Sequence, residues 1–512
     1  METTSSSNKR IAKNTMMLYI RMLLTMVVTL YTSRIVLNTL GVEDFGIFNV
    51  VGGFVTMFAF LSGAMATASQ RFFSFEIGRK DNVQLRNVFS MSVNIHFIIA
   101  FVVLFLAETI GLWFVNTQLT IPPDRMVAAL WVYQFSILAM MVNIVSVPYN
   151  AIIIAHERMN VFAGVSIAEV SLKLLIVFML QWFGFDKLKL YAVLMFSVAL
   201  IIRLIYGIYC NYKFKESKFR FFWDKALFQT LMSYAGWNLW GSSASIIMGQ
   251  GVNVLLNIFF GPAVNAARGI AYQVRSAVQQ FVSNFQMAMN PQIIKSYASN
   301  DLKYMHQLVF QGAKYSFFLL FVISLPIFIE TEIILRLWLK IVPEYTVIFT
   351  RLIIVNILVD SVSGPLMTAA HASGKIKLYQ SVVGLLLILN LPISYLFLKM
   401  GLSPEVTLYV SIGLSLIALY ARLKIISPLV NLSIKEYLKA VVFRIIPVAT
   451  VAFIPPTLVF LSLEENFVRL LLTGVTSLVS VLVTIYYIGL GKTEQKFTNK
   501  KVKEFFNKMK YQ

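Results

Sequence analysis

Runs of about twenty apolar residues recur along this chain, and they constrain its fold more than any other feature. A segment that crosses the hydrocarbon core must satisfy its own backbone there, which a helix of roughly 20 mostly apolar residues does. About fourteen segments meet this demand, at approximately 16–38, 46–67, 89–109, 127–148, 163–183, 190–210, 231–256, 266–289, 311–333, 348–370, 378–398, 406–426, 445–463 and 467–489. The predicted fold class is all-α, a polytopic membrane protein of about 14 transmembrane helices. Pro148, Pro326, Pro365, Pro392 and Pro447 fall in these runs, and such breakers are tolerated where neighbouring helices re-satisfy the backbone. The opening METTSSSNKR is too polar for a signal peptide, so the first span is expected to be retained.

Composition excludes the main soluble classes. Hydrophobic residues make up 58% of the chain and charged residues 13%, against about 45–50% and about 25% in a soluble domain. A soluble enzyme, a disordered chain and a secreted disulfide scaffold are all ruled out. Cys210 is the one cysteine, and His96, His156, His306 and His371 lie far apart, so no metal-ligand spacing is present. The net charge of +21 reflects cytoplasmic loops collecting Lys and Arg, and no nucleic-acid partner is expected.

That charge also orients the chain. With the N-terminus in the cytosol, the inside segments hold Lys9, Arg10 and Lys13; Arg71, Arg79, Lys80 and Arg86; Lys213, Lys215, Lys218, Arg220 and Lys225; Lys435, Lys439 and Arg444; and the tail lysines Lys492 to Lys510. About 30 basic residues lie inside against about six outside, which predicts two cytosolic termini. The outside loops are short and tilt acidic, with Glu43, Asp44, Asp124, Glu344, Glu405, Glu464 and Glu465. The lysine-rich tail reads as a solvated amphipathic stretch near anionic lipid.

An internal repeat follows. VLNTLGVEDFGIFNVVGGF from Val36 returns as VLLNIFFGPAVNAARGIAY from Val254. Gln70 is answered by Pro291–Gln292, Glu108–Thr109 with Trp113 by Glu330–Thr331 with Trp338, and Pro148 with Ala155–His156 by Pro365 with Ala370–His371. Two six-helix bundles of the same topology are predicted, related by a pseudo-two-fold along the membrane normal, with the substrate site between them. The domain division is 1–228, 229–430, two additional helices in 431–490 and a basic tail in 491–512.

Spans 1, 2, 7 and 8 carry polar stripes at helical spacing. Span 8 shows Arg268, Tyr272, Arg275, Gln279, Ser283 and Gln286; span 7 shows Asn238, Ser242, Ser245, Gly249, Asn253 and Asn257; span 1 holds Asn14, Arg21 and Arg34. Lipid does not tolerate such faces, so they point inward. None of the four spans contains Asp or Glu. A guanidinium matches phosphate bidentately and stays charged, so Arg21, Arg34, Arg268 and Arg275, with Gln279, Asn238 and Asn253, form a candidate cationic site for an anion. Helix packing through small and polar residues is the plainer reading of the Ser and Gly positions, and snorkelling is that of Arg21 and Arg34. Elsewhere, Glu169 and Lys173 sit four apart in the favoured order for mutual neutralisation. Asp360 lies mid-span 10 and Arg203 mid-span 6; Asp360 reads either as half of a buried ion pair or as a residue coupling H⁺ or Na⁺. Glu108 and Glu330, near outer ends, read as interfacial.

Enzyme motifs are missing: there is no phosphate-loop pattern, no His-Glu-x-x-His and no outside loop long enough for a catalytic domain. The sequence therefore predicts neither catalysis nor a bound cofactor.

Six plus six plus two spans, with SRIVLNTLGVEDFGIFNV after the first helix, resemble the polysaccharide-transporter branch of the multidrug/oligosaccharidyl-lipid/polysaccharide flippase superfamily. The matching features are Arg34, Leu40–Gly41 and Phe45–Gly46. The resemblance implies a multi-pass flippase of the bacterial inner membrane for polyprenyl-pyrophosphate-linked glycans of the O-antigen, lipopolysaccharide, capsule or exopolysaccharide kind. It also implies alternating access between two bundles, the lipid bilayer and the lipid-linked glycan as partners, and a glycan polymerase working beside it. A lipid II flippase shares the cationic cavity and stays open as an alternative. A multidrug exporter of the same superfamily would be expected to show acidic cavity residues, and a membrane-embedded glycan polymerase or ligase a large outside loop.

Overall fold

In a computed structural model, residues 4–56, 59–117, 121–182, 185–339, 342–492, 494–496 and 499 are described. Every long element among them is helical, and twelve helices are long and apolar enough to cross a membrane. Two of the fourteen apolar segments are not among the twelve. Segment 46–67 is interrupted by residues 57–58, which lie outside the described residues. Segment 266–289 lies in the Pro262–Ala298 helix, whose polar face lowers its hydropathy. Large apolar side chains stand exposed on many spans, among them Phe101, Ile208, Leu461 and Val475. In water such surfaces would be aggregation patches, and in a bilayer they are the lipid face.

The chain gathers into two compact units, Met1–Ser242 with Met287–Asp301 and Ser243–Gln286 with Leu302–Gln512. The first is built around a core of Val51, Val55, Val103, Val132, Tyr133 and Ile137. Tyr133 is buried, and its hydroxyl donates to the Ala107 carbonyl at 2.6 Å, where the Asn82–Leu106 helix gives way to a π turn over Ala107–Gly111. The second unit packs Val252, Leu256, Ala267, Ala271, Phe349 and Ile353.

The two halves of the sequence repeat the same backbone devices. The Thr4–Thr56 helix breaks at Gly41, with φ 83° and ψ 168°, a conformation open to glycine almost alone. Gly261, 220 residues further on, has φ +78° between Lys225–Phe260 and Pro262–Ala298. Lys80 and Asn300, again 220 apart, are both left-handed at φ 60° and 63°. Each closes its helix by the same two bonds, Lys80 N–H to Ile77 and Asp81 N–H to Glu76, and Asn300 N–H to Tyr297 and Asp301 N–H to Ser296. After the fourth span the offset shortens to 217, pairing Pro148 with Pro365 and left-handed Glu157 with left-handed Gly374. The two Ala–His pairs are thus two positions out of register: His156 follows its helix while His371 lies within one.

Three further expectations are corrected. Arg71 is not in a loop, because the helix Ala59–Arg79 carries it and buries it. Glu330 is not interfacial: its side chain is 1% exposed and takes Arg469 Nε at 3.1 Å, Arg469 Nη2 at 3.0 Å and Thr473 Oγ1 at 2.9 Å. The tail is not wholly solvated. Lys314 Nζ donates to both oxygens of Glu494 at 2.9 and 2.6 Å, and Tyr315 Oη donates to Glu494 Oε1 at 2.8 Å; residues 500–512 lie outside the described residues.

At the acidic end of the first unit, Arg125 ties three connections together. Its Nε and Nη2 reach the two oxygens of Asp44 at 2.8 and 2.5 Å, and its Nη1 reaches Asp186 at 2.9 Å. Asp186 in turn caps the Lys187–Lys213 helix by accepting from the Leu188 and Lys189 amides.

Candidate anion-binding face

The stretch of the Pro262–Ala298 helix that belongs to the second unit carries Arg268, Tyr272, Arg275 and Gln279 at steps of four, three and four, which stacks them on one face. Glycine and alanine surround Arg268 (Ala267, Gly269, Ala271), leaving room for the long side chains. The Arg268 guanidinium lies 4.4 Å from the Tyr272 ring centroid and its Nη2 donates to Tyr272 Oη at 3.0 Å. Arg275 approaches the same ring, at 5.3 Å, and its Nε donates to Gln279 Oε1 at 3.4 Å. Tyr272 thus serves two cations, through its π face and its hydroxyl oxygen. Arg268 is buried while Arg275 is half-buried. Arg268 Nε is a buried donor without a hydrogen-bond partner among the described residues. No carboxylate forms an ion pair with either arginine among the described residues. A buried guanidinium without a counter-charge is costly, and a bound anion removes that cost. The chemistry this face supports is capture of an oxyanion by planar, permanently charged forks.

The other predicted residues fall elsewhere. Asn253 belongs to the same unit but is engaged: Asn265 Nδ2 donates to its backbone oxygen and to its Oδ1, both at 2.7 Å. Gln286, lower on the stripe, is also engaged, with Nε2 on Ser316 Oγ at 3.0 Å and the Ser361 carbonyl at 3.3 Å. A Cβ at Gly364 would collide with that amide, so glycine there admits it. Arg21 and Asn238 lie in the first unit. Arg21 stands 4.9 Å over the Phe162 ring, and Asn238 is buried beside Tyr234. The Arg34 side chain lies outside the described residues.

Glu169 and Lys173 do pair, with Lys173 Nζ donating to Glu169 Oε1 at 2.5 Å. They face a cavity of about 520 Å³ within the first unit, lined also by Asn143, Ser136 and Phe196. Asp360 forms no ion pair among the described residues; it lies just before the break at Gly364–Pro365.

Sequence reasoning missed Arg71. Its guanidinium sits 4.5, 4.6 and 5.7 Å from the rings of Phe72, Phe75 and Tyr234. The signal was present in Arg71-Phe72-Phe73-Ser74-Phe75, an arginine set among aromatics rather than other charges.

Residues 9–297, more than half of the chain, match the family described as polysaccharide biosynthesis protein, and the chain belongs to that family. No curated protein matches the sequence. The fold is similar to that of a protein described as the outward-facing conformation of a multidrug resistance MATE family transporter of the MOP superfamily, at TM-score 0.70 and 12% identity over 83% of this chain and 96% of that one. It is likewise similar to MATE in the bent conformation, at TM-score 0.69 and 11% identity over 83% and 96%. A MOP superfamily transporter from Pyrococcus furiosus, described by a binding pocket of reverse polarity that suggests a different function, aligns at TM-score 0.66 and 13% identity over 83% and 96%. The chain is a multi-pass membrane protein of this superfamily's fold.

Proposed function

We propose that the chain is a flippase that carries polyprenyl-pyrophosphate-linked oligosaccharide across the bacterial inner membrane by alternating access, for surface polysaccharide synthesis. The observation that carries this reading is the Arg268–Tyr272–Arg275 face, two guanidiniums on one ring with no pairing carboxylate among the described residues. A pyrophosphate offers several acceptor oxygens to two forks, so each arginine can bind bidentately. Membership of a polysaccharide biosynthesis family supports a saccharide on the far side of that pyrophosphate. A multidrug exporter of organic cations is disfavoured, since such cargo would be repelled here. The basic loops favour cytosolic termini, with the glycan leaving on the acidic side.

The test is binding by purified protein of a short-chain polyprenyl pyrophosphate. Arg275→Ala should weaken it by roughly 10- to 150-fold, the value of a charge-assisted bond of about 1.5–3 kcal/mol. Arg275→Lys should fall between, because lysine keeps the charge and loses the fork. Wild-type affinity in an Arg268→Ala/Arg275→Ala protein would remove the proposal's basis.

A further inference from the structure

Arg203 is an intramembrane arginine that the anion-binding face does not use. It lies in the Lys187–Lys213 helix of the first unit, where a charge in lipid surroundings is expensive unless it finds a partner. Its guanidinium stacks 3.8 Å over the ring of Tyr149, itself buried. No carboxylate or other hydrogen-bond acceptor meets it among the described residues.

Its direction is informative. Helical side chains ordinarily lean toward the helix N-terminus. Arg203 reaches the other way: its Nη1 lies 2.7 Å from where a Cβ on Gly207 would stand. Glycine, one turn on, leaves the space the guanidinium occupies. The charge is thereby carried toward Lys213, the helix's last residue, with Lys215, Lys218 and Arg220 beyond it. From Gly207 to Lys213 is about 9 Å of rise. That sets the guanidinium near the boundary between acyl chains and headgroups, a zone of roughly 5–8 Å on each side of the core.

An apolar cleft adjoins it. Phe97, Phe101, Met141, Val142 and Val145 line a groove of about 390 Å³ together with the Arg203 side chain. Phe97 and Phe101 are exposed, as are Leu200, Leu204 and Ile208 on the helix that carries Arg203, so the groove opens on the lipid-facing surface.

We infer that this cleft binds one anionic phospholipid, its phosphodiester on Arg203 and an acyl chain along Phe97, Phe101 and Val145. A single guanidinium matches the single charge of a phosphodiester. A pyrophosphate carries more charge than one fork can answer, which separates this site from the Arg268–Arg275 face. The occupant resides here rather than being transported, and it removes the uncompensated charge from the spans it touches.

The test uses phosphatidylglycerol bearing a photoreactive group in its acyl chain, added to purified full-length protein in mixed phosphatidylethanolamine vesicles. Cross-links should map to the peptides containing Phe97, Phe101 and Met141. Arg203→Ala should reduce them about tenfold, and Arg203→Lys less. Gly207→Ala keeps the charge but displaces the guanidinium, and should also reduce them, so one misfolded variant does not decide the matter. Equal labelling in wild type, Arg203→Ala and Gly207→Ala would overturn the inference. So would equal labelling by a phosphatidylethanolamine probe, competition by inorganic phosphate, which would mark a free-ion site, or displacement by polyprenyl pyrophosphate, which would hand the cleft to the carrier.

Discussion

Replacing Glu157 tests how the first unit holds its basic end together. Glu157 stands between the fourth and fifth spans in the left-handed region at φ 59°, with its carboxylate 1% exposed. Lys295 Nζ and Gln292 Nε2 donate to it at 2.5 and 2.7 Å, and Arg10 Nε lies 2.7 Å from Oε2. Its backbone carbonyl takes Asn14 Nδ2 at 3.1 Å. One carboxylate thus fastens the first helix and the end of the Pro262–Ala298 helix. Glu157→Gln removes the carboxylate that Arg10 and Lys295 share, a loss of about 3–5 kcal/mol for a buried pair broken on one side. Glu157→Ala loses the same bonds and keeps the left-handed strain. Glu157→Gly relieves about 1–2 kcal/mol of that strain, so it should be the mildest of the three. Because Lys295 shares the network, Glu157→Gln with Lys295→Met should cost less than the sum of the singles by roughly 0.5–3 kcal/mol. Thermal unfolding in detergent, followed by tryptophan fluorescence, gives the order. A wild-type midpoint for Glu157→Gln, or strict additivity in the double variant, would refute the reasoning.

Three other perturbations follow from the same structure. Gly41→Ala should destabilise through its backbone, by about 1–3 kcal/mol, since no atom of the described residues lies within 4 Å of the added Cβ; an unchanged midpoint in the same unfolding assay would contradict this. Burial by itself would raise the Asp186 carboxyl, but hydrogen bonds from Arg125, Leu188 and Lys189 outweigh it and hold it below its ordinary value. A depressed acid contributes stability above its unfolded pKa of about 3.9 and loses it as pH falls through the folded value, so Asp186→Asn should lower the midpoint at pH 7 and lose that deficit in acid. A deficit that persists at the lowest pH would show that charge is not the cause. Asp360→Asn should leave the fold intact, with no ion pair among the described residues to break, and should abolish the response of transport to an imposed proton or sodium gradient; normal gradient dependence would exclude Asp360 from coupling.

Much of the architecture was legible because lipid enforces it. A span must be apolar for about twenty residues whatever else it does, so the helices show in the sequence; the repeat shows with them, although setting Val36 against Val254 leaves Gly41 and Gly261 two positions out of register. Arg268, Tyr272, Arg275 and Gln279 were legible for the complementary reason: charge at helical spacing in an apolar chain has one face to occupy. Residues paired across long separations were not. Glu157 meets Arg10 and Lys295, and Glu330 meets Arg469, and no periodicity links such positions. The Ala–His pairs misled because two letters matched where the backbone offset had already changed from 220 to 217. Arg71 was hidden by its basic neighbours, Arg79 and Lys80, which drew it into a loop it does not occupy.

The claim on which the rest depends is that paired arginines carry a lipid-linked pyrophosphate across the bilayer. Its most direct measurement reconstitutes the full chain in liposomes with a fluorescent polyprenyl-pyrophosphate oligosaccharide and follows its accessibility to a membrane-impermeant glycosidase. Wild-type protein should expose the glycan across the bilayer, and Arg268→Ala/Arg275→Ala should not, while both fold and insert equally. Equal exposure by the double variant, or equal transport of a carrier lacking the pyrophosphate, would contradict the account.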